Sequence, residues 1–324
     1  MQKLENITDI YNRNSTERKE IQEIRQIFTE ELLSRFAAYL QVSDESLRAY
    51  GAALRKFYDF LSENSIWKPD RYNIYDYINT LRQSGMSQAT VQLYVTALRL
   101  FFGWTAVENI YPDIMQHIKS GKKTPGHKRD YLSPDQLRRI EQVSFSAHGT
   151  ECEKRDRAIF HLMVQTGLRT IEVVRADIGD FRFQGSKTVL YIQGKGRADK
   201  EYVPIGDNTA AILREYINSR TVKRADDALF ASCSNRNTRP DRRMTTQSVR
   251  KIIKDGFEKA GFSSPRLTAH SLRHSAVTNA LLSGVSIRTV RQFVRHRSIS
   301  TTELYAHDLD MLNNETAQVL DDIL

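Results

Sequence analysis

Across residues 23–116 apolar side chains recur every three or four positions, and no alternating β-type run interrupts them. This is the spacing of helices that bury one face. Leu47, Tyr50, Leu54, Phe57, Tyr58 and Leu61 share such a face behind a start signal at Ser43 or Asp44. A short polar side chain there accepts from the orphan N–H groups of the first helical turn. Trp67, Lys68 and Pro69 then turn the chain. Further helices are expected at residues 74–81 and, after a break at Gly85 and a cap at Ser87, along Val91, Tyr94, Leu98, Phe101 and Phe102. Packed together they predict a bundle of four or five helices.

The pattern stops at residues 117–130, HIKSGKKTPGHKRD, where two glycines, a proline and five Lys or Arg residues leave almost nothing to bury. That composition belongs to a basic linker. Residues 1–22 form an N-terminal extension, and residues 131–324 a second domain. This domain opens with a Ser133 cap and Pro134 in the first turn of a helix through Leu137 and Ile140. Residues 152–174 read as helical with a break at Gly167. Over residues 178–205 the period changes: the β-rich runs DFRF, TVLYIQ and EYVPI predict a three-stranded antiparallel meander, its hairpin tip at Gly194-Lys195-Gly196-Arg197. Helices follow at residues 209–220, 246–260, 270–283 and 287–294, with one more near the C-terminus. The fold class expected is mainly α with a small antiparallel β-sheet.

The chain has 324 residues, more than one core usually holds, which agrees with two domains. Its 48 Lys and Arg against 39 Asp and Glu give a net charge of +9, and such an excess favours a polyanionic partner. Apolar residues at 40% suffice for ordinary cores, which excludes a solvated basic tail. Cys152 and Cys233 lack the spacing of metal ligands, so they are expected as unpaired thiols of a reducing compartment, and no metal or cofactor is expected. No run approaches 18 apolar residues, and the first 31 residues lack the apolar stretch of a signal peptide; a soluble intracellular protein with no membrane partner is expected.

Three segments set unusual polar residues beside apolar helical faces: Thr166-Gly-Leu-Arg-Thr-Ile-Glu172, the Gly194-Lys195-Gly196 tip, and the run from Ala269-His-Ser-Leu-Arg-His274 through Val294-Arg-His296 to Glu303-Leu-Tyr305. In order and spacing they resemble the signature of tyrosine site-specific recombinases and phage-type integrases, nearest to the Xer-like branch, and the resemblance covers nearly the whole chain. It implies a two-domain, C-shaped clamp, with a helical core-binding domain at residues 23–116 and an α+β catalytic domain at residues 131–324.

The chemistry explains why such residues occur together. A phosphodiester repels a nucleophile, and charge on its non-bridging oxygens must be met by preorganised donors. Guanidinium groups do this without a metal, because they are always charged and grip two oxygens at once. Arg169 and Arg273 match the family's two arginines. The resemblance further gives His270 a role in proton transfer or phosphate binding, His296 one in phosphate binding, and His274 a structural one. Lys195 matches the lysine that protonates the leaving 5′ oxygen, and Tyr305 the nucleophile that forms a 3′-phosphotyrosine. Glu172, three residues after Arg169 and on the same face if the helix continues, is expected to orient a guanidinium or histidine. Lys122, Lys123, Lys128, Arg129, Arg197 and Arg295 are candidate DNA contacts.

Arg295 departs from the family, which shows Leu-Gly-His where this chain has Val294-Arg295-His296. Contact with phosphate, contact with a neighbouring subunit, or a weakened enzyme in the absence of DNA stand open. The tail after Tyr305 is acidic and apolar at helical spacing (Leu312, Val319, Leu320, Ile323), which suits docking onto protein. The resemblance implies that this helix passes to the adjacent protomer of a homo-tetramer assembled on double-stranded DNA with paired recognition arms, the chain being a monomer when free; packing onto its own domain is the alternative. The function implied is metal-independent site-specific recombination through a Holliday junction, in the cytoplasm on nucleoid DNA, with a mobile element as one setting. A topoisomerase-like strand cutter, and a DNA-binding regulator without chemistry, are the other readings.

Overall fold

A computed structural model describes residues 23–119, 130–145, 149–194, 199–221, 223–233, 242–296, 298, 302–303 and 321–322. The chain divides into two compact units, Met1–Pro125 and Gly126–Leu324.

The first unit is helical: α1 (Ile24–Ile27), α2 (Glu30–Tyr39), α3 (Asp44–Glu63), α4 (Arg71–Gln83) and α5 (Gln88–Val107). Its longer helices start where side chains cap them. Ser43 accepts from the Ser46 N–H and Ser87 from the Thr90 N–H, while Asp70 and Asn73 cap each other reciprocally. Phe57, Leu61, Ile74, Val95, Phe101 and Phe102 are fully buried, and Phe57 meets Tyr77 edge to face at 5.0 Å. Ile114, Met115 and Ile118 close this core. Ile118 is buried, and its carbonyl accepts from Arg99 Nη2 at 2.8 Å.

The second unit runs α6 (Pro134–Ser144), α7 (Glu151–Thr166), α8 (Thr170–Arg175), a 3-10 turn (Ile178–Asp180), β1 (Phe181–Gln184), β2 (Lys187–Gln193), β3 (Lys200–Pro204), α9 (Asp207–Ser219), α10 (Thr246–Lys259), α11 (Ala269–Leu282) and α12 (Ile287–Val294). The strands form an antiparallel meander in the order β1-β2-β3, with Leu190 opposite both Phe181 and Val203. Leu190, Ile192 and Val203 enter the core. α11 is buried nearly all round: Ser271, Leu272, Arg273, His274, Ser275, Val277 and Thr278 are all inside. A helix enclosed on several sides needs no amphipathic stripe, and its polar residues must find partners in the interior.

Two expectations are corrected. Cys152 and Cys233 are joined as a disulfide, their Cα atoms 6.0 Å apart, and are not separate thiols. Their 81-residue separation made them look unrelated, but α7 starts beside the segment that carries Cys233, where Arg155 Nη1 also donates to the Ala231 carbonyl at 3.0 Å. Glu172 does not share a helical face with Arg169 either: Arg169 is the N-cap of α8, with extended backbone at φ −75°. The expected C-terminal helix lies outside the described residues, apart from Asp321 and Asp322. Among the described residues no helix is long and apolar enough to cross a membrane.

Candidate active site

The site is built on a turn. α7 ends at Thr166, and Gly167 takes the left-handed conformation at φ +61°, its N–H bonding to the Met163 carbonyl at 3.0 Å. Glycine adopts this conformation without a Cβ penalty. The turn hands the chain to Arg169, whose backbone N–H donates to Glu172 Oε2 at 2.8 Å and whose Nη1 donates to Oε1 at 2.9 Å. The Glu172 side chain is 1% exposed, so a desolvated carboxylate fixes both the backbone and the guanidinium of Arg169.

Arg273, on α11, is 2% exposed. Its Nη1 donates to the Gly167 carbonyl at 2.6 Å, and its Nη2 donates to the Val294 carbonyl. These carbonyls stand two residues before Arg169 and two before His296. One buried guanidinium thereby joins the end of α7, the middle of α11 and the end of α12, and brings the two arginines and His296 into one cluster.

His296 is buried, and its Nδ1 is 2.9 Å from Oγ1 of the fully buried Thr302. Burial first, and then the charges of Arg273, Arg169, His270 and Arg295, push its pKa down to about 3. It is therefore a neutral imidazole near pH 7, a hydrogen-bonding group and not a cation. His270 is exposed in the first turn of α11, although its i, i+3 neighbour Arg273 is buried. His274 faces elsewhere: it is buried, with Nδ1 3.2 Å from Thr278 Oγ1 and its ring stacked on Tyr131 at 6.1 Å.

The β2–β3 hairpin is held at its neck. Lys200 Nζ lies 2.6 and 2.8 Å from the Asp180 carboxylate oxygens and 3.1 Å from Asp177 Oδ2. Arg243 joins Asp177 to the Val174 and Ala176 carbonyls. Lys195 and Arg197 at the tip, Tyr305, and the linker residues Lys122, Lys123, Lys128 and Arg129 all lie outside the described residues.

Arg295, expected among the DNA contacts, is turned inward. It is the C-cap of α12 in the left-handed conformation, φ 57° and ψ 47°, and its side chain is 8% exposed. Its Nη2 lies 3.2 Å from Glu172 Oε2, and its Nη1 donates to the Phe293 carbonyl at 3.0 Å. Glu172 thus serves two guanidinium groups. Sequence reasoning missed two partners of this cluster: Thr302, whose only signal is its place in the threonine run before Tyr305, and Glu201 of β3, whose carboxylate is 3.6 Å from Arg295 Nε. For Glu201 strand alternation was the one available signal, since it lies on the face of β3 shared with buried Val203.

Residues 130–311 match the phage integrase family, and residues 33–109 match the phage integrase N-terminal SAM-like domain. The chain is 29% identical over 277 residues to a tyrosine recombinase XerD of Oceanobacillus iheyensis, covering 82% of this chain and 88% of that protein. It is 28% identical over 283 residues to a tyrosine recombinase XerC of Escherichia coli, covering 85% and 91%. Among solved structures, XerH site-specific recombinase bound to palindromic difH substrate, in a post-cleavage complex, superposes with a TM-score of 0.70 at 21% identity, covering 92% of this chain and 86% of that one. A lambda integrase tetramer bound to a Holliday junction gives 0.67 at 16% identity, covering 89% and 78%.

Proposed function

The chain belongs to the phage integrase family, the tyrosine recombinases, and we propose that within this DNA-recombining activity Tyr305 is the nucleophile and Arg169, Arg273, His270, His296 and Lys195 serve the phosphate it attacks. The observation that carries this reading is the Arg273 guanidinium, which bonds the Gly167 and Val294 carbonyls and so gathers Arg169 and His296 around itself. Such a cluster is a preorganised receptor for developing negative charge.

In the proposed step the Tyr305 hydroxyl gives its proton to His270 and its oxygen bonds to phosphorus as the bond from phosphorus to the 5′ oxygen breaks. Lys195 gives its proton to that oxygen. Arg169 and Arg273 hold the non-bridging oxygens, while His296, neutral, adds a hydrogen bond. The 3′-phosphotyrosine keeps the energy of the phosphodiester, so a 5′-hydroxyl of a partner strand attacks it with no outside energy, and two such exchanges pass through a Holliday junction. His274 is structural, and Glu172 positions Arg169.

We assign DNA binding to the helical unit and to the linker cations Lys122, Lys123, Lys128 and Arg129, with Arg197 at the hairpin tip. The acting assembly is a tetramer on DNA, acting on nucleoid DNA in the cytoplasm. The acidic, apolar tail passes between protomers, and a groove on the second unit supports this. Leu137, Phe160, Val164, Ala276, Ala280 and Phe293 line it, with a volume of about 370 Å³.

The test uses nicked duplexes made from DNA flanking the gene, in which cleavage releases a short fragment and traps the covalent adduct. The parent should form an adduct. Tyr305→Phe should form none, and Arg273→Lys should form it about a thousandfold more slowly, since an ammonium cannot bridge two carbonyls and a phosphate. An undiminished adduct with Tyr305→Phe would overturn the assignment.

A further inference from the structure

At the end of α12 this chain places a cation in a backbone conformation that favours glycine, and buries it. The side chain of Arg295 is 8% exposed and that of Glu172 1%, so this pair is not a solvated surface contact. Breaking such a pair from one side leaves a desolvated charge behind, and the interaction is therefore specific in a way that exposed pairs are not. Its guanidinium reaches two carboxylates on two different elements. Nη2 lies 3.2 Å from Glu172 Oε2 at the start of α8, and Nε lies 3.6 Å from Glu201 Oε1 on β3.

The position of Glu201 gives this bridge its meaning. It pairs with Ile192, one step below the last pair of the hairpin, Gln193 with Lys200, beyond which lies the tip that carries Lys195. A restraint at that pair acts on the neck of the hairpin, next to its last described pair. The other end of the bridge is the carboxylate that holds Arg169 Nη1 at 2.9 Å. Arg295 therefore spans the lysine-bearing hairpin and the arginine anchor, and it does so from the residue that precedes His296.

We infer that Arg295 is a positioning residue for proton transfer to the leaving group: wedged between Glu172 and Glu201, it registers the Lys195 hairpin against the Arg169 anchor. Arg295 is turned inward in this arrangement, its Nη2 engaged by Glu172 and its Nη1 by the Phe293 carbonyl. The inference rests on the reading of Lys195 as the acid that protonates the 5′ oxygen.

The test compares the ordinary cleavage substrate with one whose leaving 5′ oxygen is replaced by sulfur. A thiolate leaves without protonation, so this substrate does not need the acid. Arg295→Gly suits the left-handed backbone, and Glu201→Gln alters a partly exposed strand residue; melting curves identify folded protein for both. On the oxygen substrate each variant should cleave about ten- to a hundredfold more slowly, as expected for a displaced general acid. On the sulfur substrate Glu201→Gln should match the parent and Arg295→Gly should regain most of its lost rate, and the double variant should be no slower than either single one. Lys195→Ala is the control for the underlying reading and should show the same rescue by sulfur. If sulfur rescues Lys195→Ala but not folded Arg295→Gly or Glu201→Gln, or if these variants cleave oxygen normally, the positioning role is wrong. If sulfur does not rescue Lys195→Ala, the reading of Lys195 as the acid fails first.

Discussion

His296 lies buried beside several cations, and its protonation is coupled to folding. An unfolded histidine titrates near 6.5, whereas the folded one is pushed down to about 3 by burial and by Arg273, Arg169, His270 and Arg295. Between these values the unfolded chain binds more protons than the folded one, so stability rises with pH across the window and is lost as pH falls through it. From pH 7 to pH 5 this one group should cost about 2 kcal/mol, at about 1.4 kcal/mol per unit below 6.5. Urea unfolding of the parent and of His296→Asn at both pH values checks it: the variant should lose less stability on acidification. An equal loss in the two proteins would remove His296 from the account. Arg273 and Glu172 follow the same rule, that a buried charge is tolerated where oxygens or guanidinium groups surround it.

Between α7 and α8 the active element is a single turn. Gly167 allows the chain to reverse so that Arg169 leaves the helix and becomes the cap of the next one. A Cβ at Gly167 would sit 3.4 Å from Ala276 Cβ and from Val294 Cγ1, which is near ordinary contact, so the left-handed backbone and not crowding sets the cost. Gly167→Ala should destabilise by about 1 kcal/mol. It should also slow adduct formation, because the Gly167 carbonyl is a partner of Arg273. Thermal melting and the cleavage rate report these two effects separately, and a variant unchanged in both would show that the turn does not hold the site. α12 ends in the same conformation at Arg295, whose side chain is held by Glu172.

In the whole molecule the disulfide closes the longest covalent loop, joining α7 to the segment after the β-bridge of Ala231 with Arg243. A loop set by an 81-residue separation constrains the unfolded chain by ~4.5 kcal/mol in the chain-entropy account. The hydrogen bond from Arg155 to the Ala231 carbonyl holds the same two segments without it. Reduction should therefore lower the melting temperature by several degrees while leaving a folded, DNA-binding protein. Cys233→Ser should show the same lowered value and no further response to reductant. A melting temperature indifferent to reductant would show that the bond does not stabilise the protein in solution.

Local chemistry alone set most of the elements of this chain. The caps at Ser43, Ser87 and Ser133, the break at Gly167, the three β-rich runs and the helical periods depend on neighbours within a few residues, and they can be read without knowing the rest. Arg169 and Arg273 were legible as a pair through the resemblance of the motif order, and Arg273 bonds the Gly167 carbonyl two residues before Arg169. Tertiary structure decided what touches what. Arg273 reaches a carbonyl 106 residues away, Arg295 a carboxylate 123 residues away, and Cys152 a cysteine 81 residues away. Contacts at such separations arise from packing after the elements have formed, and no local pattern encodes them. For that reason the inward turn of Arg295, the neutral state of His296 and the role of Glu201 emerge only once the helices and the sheet are assembled.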